Sequence, residues 1–430
     1  MSILKRFFSI NNNSSGLTKD ITILGIKFSI KFNIEKRYRK IIQKIRKQNG
    51  KINVAFLVNE ISKWKTQSLY DLMKQSELFN PVVALTIADK QRQLSPKQQK
   101  EILKQNYNYF HSKGMDCIYF YDFKKNKPVS LKSFNPRIVF YQQPWDIHKL
   151  QSPKEVSKYA LTCYVPYFVP NYGILYMDCE QPFHKQLFRY YVLNEEWEKI
   201  YKDDIGNCSG DIKGLGHTVL DYFYLHNGET KNDYVIYAPH WSIYHKNNPE
   251  EEHYSTFDVN GETILEYAKN HPEINWAFKP HPTLKIALKN IGWNEEKISN
   301  YYSEWEKFAN CCYDSDYLEL FLNSKAIITD CGSFLTEYFC TGKPILHLIS
   351  KHCKVIPPKP TKKIFDTFYK IHDNNELFKY LDDIIIGNND PMIEYRRQTL
   401  KELGLANNYA AKNIIEDLER VIKDGYNESA

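Results

Sequence analysis

From Ile52 onward the chain alternates short apolar runs with polar stretches of helical pattern, and this limits its fold more than any other feature. Ile52–Val58 reads as a buried strand, and a helical stretch follows over Ser68–Ser76. Pro81–Ile87 is a second strand and Gln91–Lys113 a long polar helix, with further strands at Cys117–Tyr121, Arg137–Tyr141 and Leu161–Val165. Apolar runs this short, separated by helices of about ten residues or more, imply βαβ units and a parallel sheet. A first doubly wound domain therefore ends near Gly210–Gly216.

The second half repeats the logic. Strands are expected at Tyr234–Ala238, Ile274–Lys279, Ala326–Thr329 and Ile345–Leu348, and helices at Gly261–Asn270, Asp316–Asn323 and from Ser333 to Cys340. The stretch from Asn374 to Asp424 is helical by pattern. The expected architecture is α/β, with two Rossmann-like doubly wound domains facing a central cleft. Its divisions are a basic extension over 1–50, a first domain over 51–215, a second over 216–400 and a helical tail over 401–430.

Charge is distributed unevenly along this plan. The net charge of the 430 residues is +7, yet residues 1–51 hold thirteen Lys/Arg against Asp20 and Glu35, leaving the remainder mildly acidic. A basic leader implies an acidic partner. The body lacks basic patches interleaved with aromatics, which argues against nucleic acid and for an anionic membrane surface. Within the leader, the later half of Ile21–Phe32 alternates apolar and basic residues as a short ribbon does, and Glu35–Lys47 has an amphipathic, basic helical pattern. That segment reads either as a surface anchor or as a solvated charged helix. No apolar run reaches the ~18 residues that cross a bilayer, and no signal peptide is visible. Nine scattered cysteines without a C-x-x-C pair read as reduced, mostly buried thiols rather than a zinc site. The expectation is a cytoplasmic protein, peripheral at the membrane, with neither metal nor cofactor; a homo-oligomer is compatible.

Three segments follow strands of the second half, where open α/β sheets bind ligands. They are Ala238-Pro239-His240-Trp241-Ser242, Lys279-Pro280-His281-Pro282, and Thr329-Asp330-Cys331-Gly332-Ser333-Phe334-Leu335-Thr336-Glu337. In the third, Gly332 and Ser333 stand where a strand becomes a helix, so backbone N–H groups and the helix dipole can receive an anion. Glu337 lies one turn on, on the face of Ser333, where a carboxylate can accept hydrogen bonds from ribose hydroxyls. Each residue also has a plain reading. Ser333 can be a helix N-cap, Glu337 an exposed first-turn acid, Pro280-His281-Pro282 a simple turn, and His240 with Trp241 a packed core pair.

The run from Tyr237 to Leu348 resembles the second domain of the CDP-glycerol glycerophosphotransferase family, which builds teichoic-acid and capsule polymers. The resemblance rests on Ala238-Pro239-His240-Trp241, Lys279-Pro280-His281-Pro282, Asp316–Phe321, Thr329-Asp330 with Ser333, and Thr341-Gly342-Lys343-Pro344. Gly216-His217-Thr218-Val219-Leu220-Asp221 is similar to the element joining the two domains in that family. The resemblance implies a metal-independent GT-B fold, with a first domain for the acceptor and a second for the nucleotide donor. It implies that His281 faces the donor pyrophosphate, that Thr329 and Ser333 help to hold it, and that Glu337 binds ribose. Lys279 would add a positive charge near the leaving CMP, and Asp330 and Gly332 would bind the donor from the loop of Thr329 and Ser333.

The first domain departs from the family pattern. The family's His-Gly-x-Pro element, whose histidine is the proposed general base, is matched here by Phe140-Tyr141-Gln142-Gln143-Pro144-Trp145-Asp146. A glutamine cannot take a proton at neutral pH, so Asp146, His148 and His240 become the candidate bases. Alternatively Gln142, Gln143 and Trp145 form an acceptor loop with no proton role. The leading expectation is transfer of a polyol-phosphate from a CDP-alditol to a glycan or lipid-linked hydroxyl, releasing CMP. A glycosyltransferase using a nucleotide-sugar, and an inactive nucleotide-binding scaffold subunit, are the alternatives.

Overall fold

A computed structural model describes residues 8–12, 18–23, 26–31, 33–169, 182–205, 211–226, 233–245, 253–313 and 317–425. The chain divides into two compact units: Met1–Phe168 with Leu175–Asp221 and Tyr409–Ala430, and Val169–Ile174 with Tyr222–Asn408.

In the first unit an antiparallel ribbon, β1 (Phe8–Asn12), β2 (Thr18–Ile23) and β3 (Ile26–Lys31), precedes the main sheet. The main sheet comprises β4 (Ile52–Val58), β5 (Phe79–Leu85), β6 (Cys117–Tyr119), then, after a small hairpin of β7 (Tyr121–Asp122) and β8 (Lys127–Pro128), β9 (Ile138–Tyr141), β10 (Leu161–Tyr164), β11 (Arg189–Tyr191) and β12 (Asp211–Lys213). Its order is β12-β11-β10-β9-β4-β5-β6, and every pairing is parallel. That is the dinucleotide-fold order, reversing direction between β4 and β9. β4 is apolar throughout except for Asn53, as a strand covered on both faces must be. The long polar helix begins later than Gln91: Ser95 caps it in a capping box with Gln98, and Pro96 fixes its first turn.

The helix Ile34–Arg46 belongs to this unit's core. Asn33 caps it by accepting from the Lys36 N–H at 2.7 Å, and Ile34, Tyr38, Ile41, Ile42 and Ile45 are buried. The Tyr38 hydroxyl donates to the Gln186 carbonyl at 2.6 Å. At about 1.5–3 kcal/mol for each buried isoleucine, this apolar face is held against the protein. That face is therefore taken up by the core and is not open to solvent. Lys36, Lys40, Lys44 and Lys47 stay exposed on the other side.

The second unit carries β13 (Tyr234–Ala238), β14 (Asn275–Phe278), β15 (Asn310–Cys311), β16 (Ser324–Thr329), β17 (Ile345–Leu348) and β18 (Tyr369–Ile371). The order β15-β14-β13-β16-β17-β18 is again all parallel, with its reversal between β13 and β16. The helices Phe257–Asn270 and Glu295–Glu306 bury Phe257, Ile264, Tyr301 and Trp305 against it. The tail is not one continuous element. Ile393–Glu402 belongs to the second unit, with buried Arg396 donating to the Gly342 carbonyl at 3.0 Å. The final helix, Ala410–Asp424, packs Ala411, Ile414, Leu418 and Val421 into the core of the first unit.

Candidate functional site

The reversal between β13 and β16 opens the second unit's sheet at its carboxyl edge, and the three sequence segments converge there. Pro239 ends β13, and the following His240 N–H donates to Asp330 Oδ1 at 2.7 Å across the opening from the end of β16. From the end of β14, the His281 N–H donates to the Pro239 carbonyl at 3.1 Å. The two imidazole rings stand edge to face, 5.2 Å between centroids.

Both rings are held in the same tautomer. Nδ1 of His281 accepts from the Thr283 N–H at 3.2 Å and lies 2.9 Å from its hydroxyl. Nδ1 of His240 accepts from the Ser242 N–H at 3.3 Å, with the Ser242 hydroxyl at 2.8 Å. Each neutral ring therefore carries its proton on Nε2 and presents one donor. His240 reaches the surface in part, but Trp241, Tyr254 and His281 enclose its ring. That burial, with the neighbouring His281, lowers its pKa to about 3. Burial and the charge of Lys279 lower His281 to about 4. The pair is uncharged at neutral pH and donates without titrating.

Asp330 is buried, and its carboxylate holds this edge together. Besides His240 it accepts from the Thr256 N–H at 2.7 Å and the Thr256 hydroxyl at 3.0 Å. Burial pushes Asp330 up to about 6 despite those donors. Thr329 is also fully buried. Its hydroxyl donates to the Ala238 carbonyl at 2.6 Å and accepts from the Cys331 N–H at 2.9 Å, so it ties β16 to β13.

Gly332 opens the helix Gly332–Phe339. The N-cap position is taken by Cys331, whose side chain makes no capping hydrogen bond to the helix N-terminus. Ser333 is the second helical residue and not the cap, half-buried, with its hydroxyl 3.6 Å from Cys331 Sγ. Glu337 is buried and not an exposed first-turn acid, and the Tyr317 hydroxyl donates to its Oε2. Lys279 is buried too, its backbone N–H donating to the Tyr237 carbonyl at 2.9 Å. Asp316 lies outside the described residues.

The remaining sequence candidates belong to the first unit, at its own sheet reversal. Gln142 and Gln143, which follow β9, line a small cavity with Asn59, Glu60, Lys63 and Ile147. Gln142 Oε1 accepts from the Lys65 N–H at 2.9 Å, and Gln143 donates from Nε2 to the Trp145 carbonyl at 2.8 Å. Trp145 packs edge-on against Tyr167. Asp146 adopts a left-handed backbone (φ 56°) and pairs with Lys90 at 3.3 Å. His148 caps a short helical turn, accepting from the Leu150 N–H, and burial lowers its pKa.

The element Gly216–Asp221 has a different task. Asp221 is buried and accepts from the N–H groups of Ala410 and Ala411, at 2.7 and 2.9 Å, and from the Ser68 hydroxyl at 2.7 Å. It caps the final helix. Burial raises its pKa to about 6 against those donors.

Sequence reasoning did not single out Thr256 and Thr283, and it placed Ser242 and Tyr317 in its segments without a role; all four hydrogen-bond the candidate residues. Ser242 and Thr283 each lie two residues beyond a histidine, a spacing at which a backbone N–H can reach Nδ1. Among the described residues no group of three or more His, Cys, Asp or Glu is placed to hold a metal ion, no helix is long and apolar enough to cross a membrane, and the seven described cysteines form no disulfide.

No protein-family model matches the sequence, and no curated protein sequence does. Solved structures do match. UDP-GlcNAc 2-epimerase from Neisseria meningitidis, bound to UDP-GlcNAc, aligns with TM-score 0.55 at 14% identity, over 86% of this chain and 100% of that one. The wall teichoic acid polymerase TagF aligns with TM-score 0.53 at 11% identity, over 91% and 95%. A further UDP-N-acetylglucosamine 2-epimerase gives 0.53 at 13%, over 89% and 98%. These likenesses are of fold, and together with the two parallel sheets they make this chain α/β with two Rossmann-like units of the GT-B type.

Proposed function

We propose that the protein is a transferase that binds a nucleotide-diphosphate-activated donor at the carboxyl edge of its second unit. The observation that carries this reading is the pair His240 and His281, two neutral imidazoles with Nδ1 occupied and Nε2–H available. Directed hydrogen-bond donors beside a helix N-terminus suit phosphoryl oxygens, whose charge grows as the leaving group departs. Glu337, behind Tyr317, is assigned to the donor ribose, and Gly332 and Ser333 to the phosphates. Thr329 and Asp330 are assigned as positioning residues, since their side-chain oxygens hold the two loops together. Lys279 supplies positive charge beside His281.

The donor of choice is a CDP-alditol. An acceptor hydroxyl oxygen attacks the β-phosphorus, the new O–P bond forms as the bridging P–O bond breaks, and CMP leaves with the bridging oxygen. The hydroxyl proton passes to a carboxylate, for which Asp146 is the candidate; His240, with Nδ1 occupied and Nε2 protonated, has no lone pair free to take it. The polyol-phosphate ends on a surface glycan or lipid-linked acceptor, in polymer synthesis of the teichoic-acid or capsule kind. TagF, a wall teichoic acid polymerase, and UDP-GlcNAc 2-epimerase supply the analogy, and it is one of fold. The exposed lysines of the helix Ile34–Arg46 are assigned to an anionic membrane surface.

The test is to incubate the protein with CDP-alditols and nucleotide-sugars, with and without crude lipid-linked glycan, and identify the nucleotide released. CMP from a CDP-alditol supports the reading. CDP, UDP or GDP from a nucleotide-sugar replaces it with glycosyl transfer, and binding without turnover replaces it with a scaffold.

A further inference from the structure

Beyond the ends of β16 and β17 lies a second cavity, of about 290 Å³, that the donor assignments above leave unused. That volume is near the ~300 Å³ at which small-molecule pockets begin. Most of its exposed wall is apolar, formed by Leu348, Ile349, Val355, Ile356, Pro357 and Phe365, with Asp330, His347 and Ser350 among the polar exceptions besides the residues of the rim. It shares Asp330 and Tyr254 with the histidine pair: Asp330 accepts from the His240 N–H, and the Tyr254 ring stands 5.8 Å from the His240 ring.

Two features mark this cavity as built for a ligand. His347 lines it and is buried, yet its Nδ1 has no hydrogen-bond partner among the described residues. The ring is fixed edge-on against Phe365 and Phe368, and burial with the nearby Lys370 and His372 lowers its pKa to about 3. It is therefore a neutral polar group in an apolar wall, where an unmet hydrogen bond is costly. At the rim Ile356 is 87% exposed, an aliphatic side chain with nothing to cover. Lys362 and Lys370 flank Asp366 there, at 2.5 and 3.1 Å, leaving a net positive edge.

We propose that this cavity receives the part of the donor beyond its pyrophosphate, and that this part carries an apolar substituent, as an N-acylated or deoxygenated sugar or sugar alcohol does. The inference rests on the donor site proposed above. With the phosphates at Gly332 and Ser333 and the ribose toward Glu337 and Tyr317, the distal group turns toward Asp330 and His347. An unsubstituted glyceryl group would leave the apolar walls unfilled. A methyl or acyl group fills them, with the His347 ring in the wall beside it.

The experiment is isothermal titration of the full chain with UDP, UDP-N-acetylglucosamine, CDP and CDP-glycerol. The variants are Val355→Trp, which fills the cavity from a half-exposed loop, and Ile356→Asp, which changes only a rim side chain. Wild type is expected to bind UDP-N-acetylglucosamine at least tenfold more tightly than UDP, and CDP-glycerol less than threefold more tightly than CDP. Both variants should bring UDP-N-acetylglucosamine within about threefold of UDP while leaving UDP and CDP unchanged. A gain that survives both variants, or no gain at all, overturns the inference and leaves the nucleotide site standing. Equal weakening of the bare nucleotides would make the cavity the base site and also overturn it. Failure of wild type to bind either nucleotide overturns the donor reading itself.

Discussion

Asp330 Oδ1 accepts the backbone N–H of His240 over 2.7 Å, and this hydrogen bond joins the end of β16 to the loop after β13. The same carboxylate fixes the start of the helix Phe257–Asn270 through Thr256. One buried side chain thus sets the spacing of the loops on which the proposed donor site stands.

Asp330→Ala leaves three donors without an acceptor in a buried place, each at about 1–3 kcal/mol. Urea unfolding should show a loss of about 3 kcal/mol, with nucleotide affinity falling in parallel. Unchanged stability would mean that water replaces the carboxylate and that the loops hold without it.

His281→Ala should reduce donor affinity by more than tenfold, and His281→Gln by less, because an amide N–H can still reach a phosphoryl oxygen. Neither variant should alter the thermal midpoint by more than a few degrees, since the ring lies in a half-exposed loop. Equal donor affinity in all three proteins would remove the histidine from the site.

The pH dependence has a definite sign. In the free protein the His281 pKa is about 4 against an ordinary 6.5. A bound pyrophosphate raises it, so the complex takes up a proton that the free protein does not. Donor affinity should therefore be flat above about pH 7 and tighten as pH falls toward 5, and His281→Gln should flatten the curve. Stability without ligand runs the other way: from 6.5 down to about 4 the unfolded chain gains the proton that the native ring refuses, so this histidine's contribution is lost as pH falls.

Asp417→Ala should destabilise the first unit by about 3 kcal/mol or more. Arg189 Nε donates to Asp417 at 2.9 Å, and both side chains are buried. Burial raises the Asp417 pKa, but the Arg189 charge and hydrogen bonds outweigh it and hold the carboxyl below its ordinary range. Removing one member leaves the other's charge enclosed. A change within experimental error would show that Asp211, 3.5 Å from the same guanidinium, suffices as its partner.

Replacing Lys36, Lys40 and Lys44 by Glu should weaken binding to anionic vesicles at low salt without unfolding the protein, because these residues face solvent. Binding that survives the triple substitution would exclude this face. Deleting residues 1–48 is a poor test, since it also removes the four isoleucines that seal the core.

Much of the fold was legible because parallel strands buried on both faces announce themselves as apolar runs. β4, β13 and β17 appear with the bounds read from the sequence. β11 and β12 were missed for a physical reason: Arg189, Asp211 and Lys213 are tolerated there by pairing with each other and with Asp417, and the pairing is invisible in one dimension. The two histidines were picked out by their place after strands and by the family resemblance, and the structure sets their rings side by side. The division of labour among neighbouring oxygens was not legible, because only three dimensions show that the Thr329 hydroxyl faces the Ala238 carbonyl.

The return of the final helix to the first unit has a consequence for biosynthesis. When Asp221 emerges from the ribosome, the first residue of the helix that it caps is still 189 residues away. At roughly 5–20 residues per second the delay lasts on the order of 10–40 seconds, during which Tyr222–Asn408 can fold first. The first unit to be translated is then the last to close, and the surface awaiting Ile414 and Leu418 is a place for a chaperone to bind.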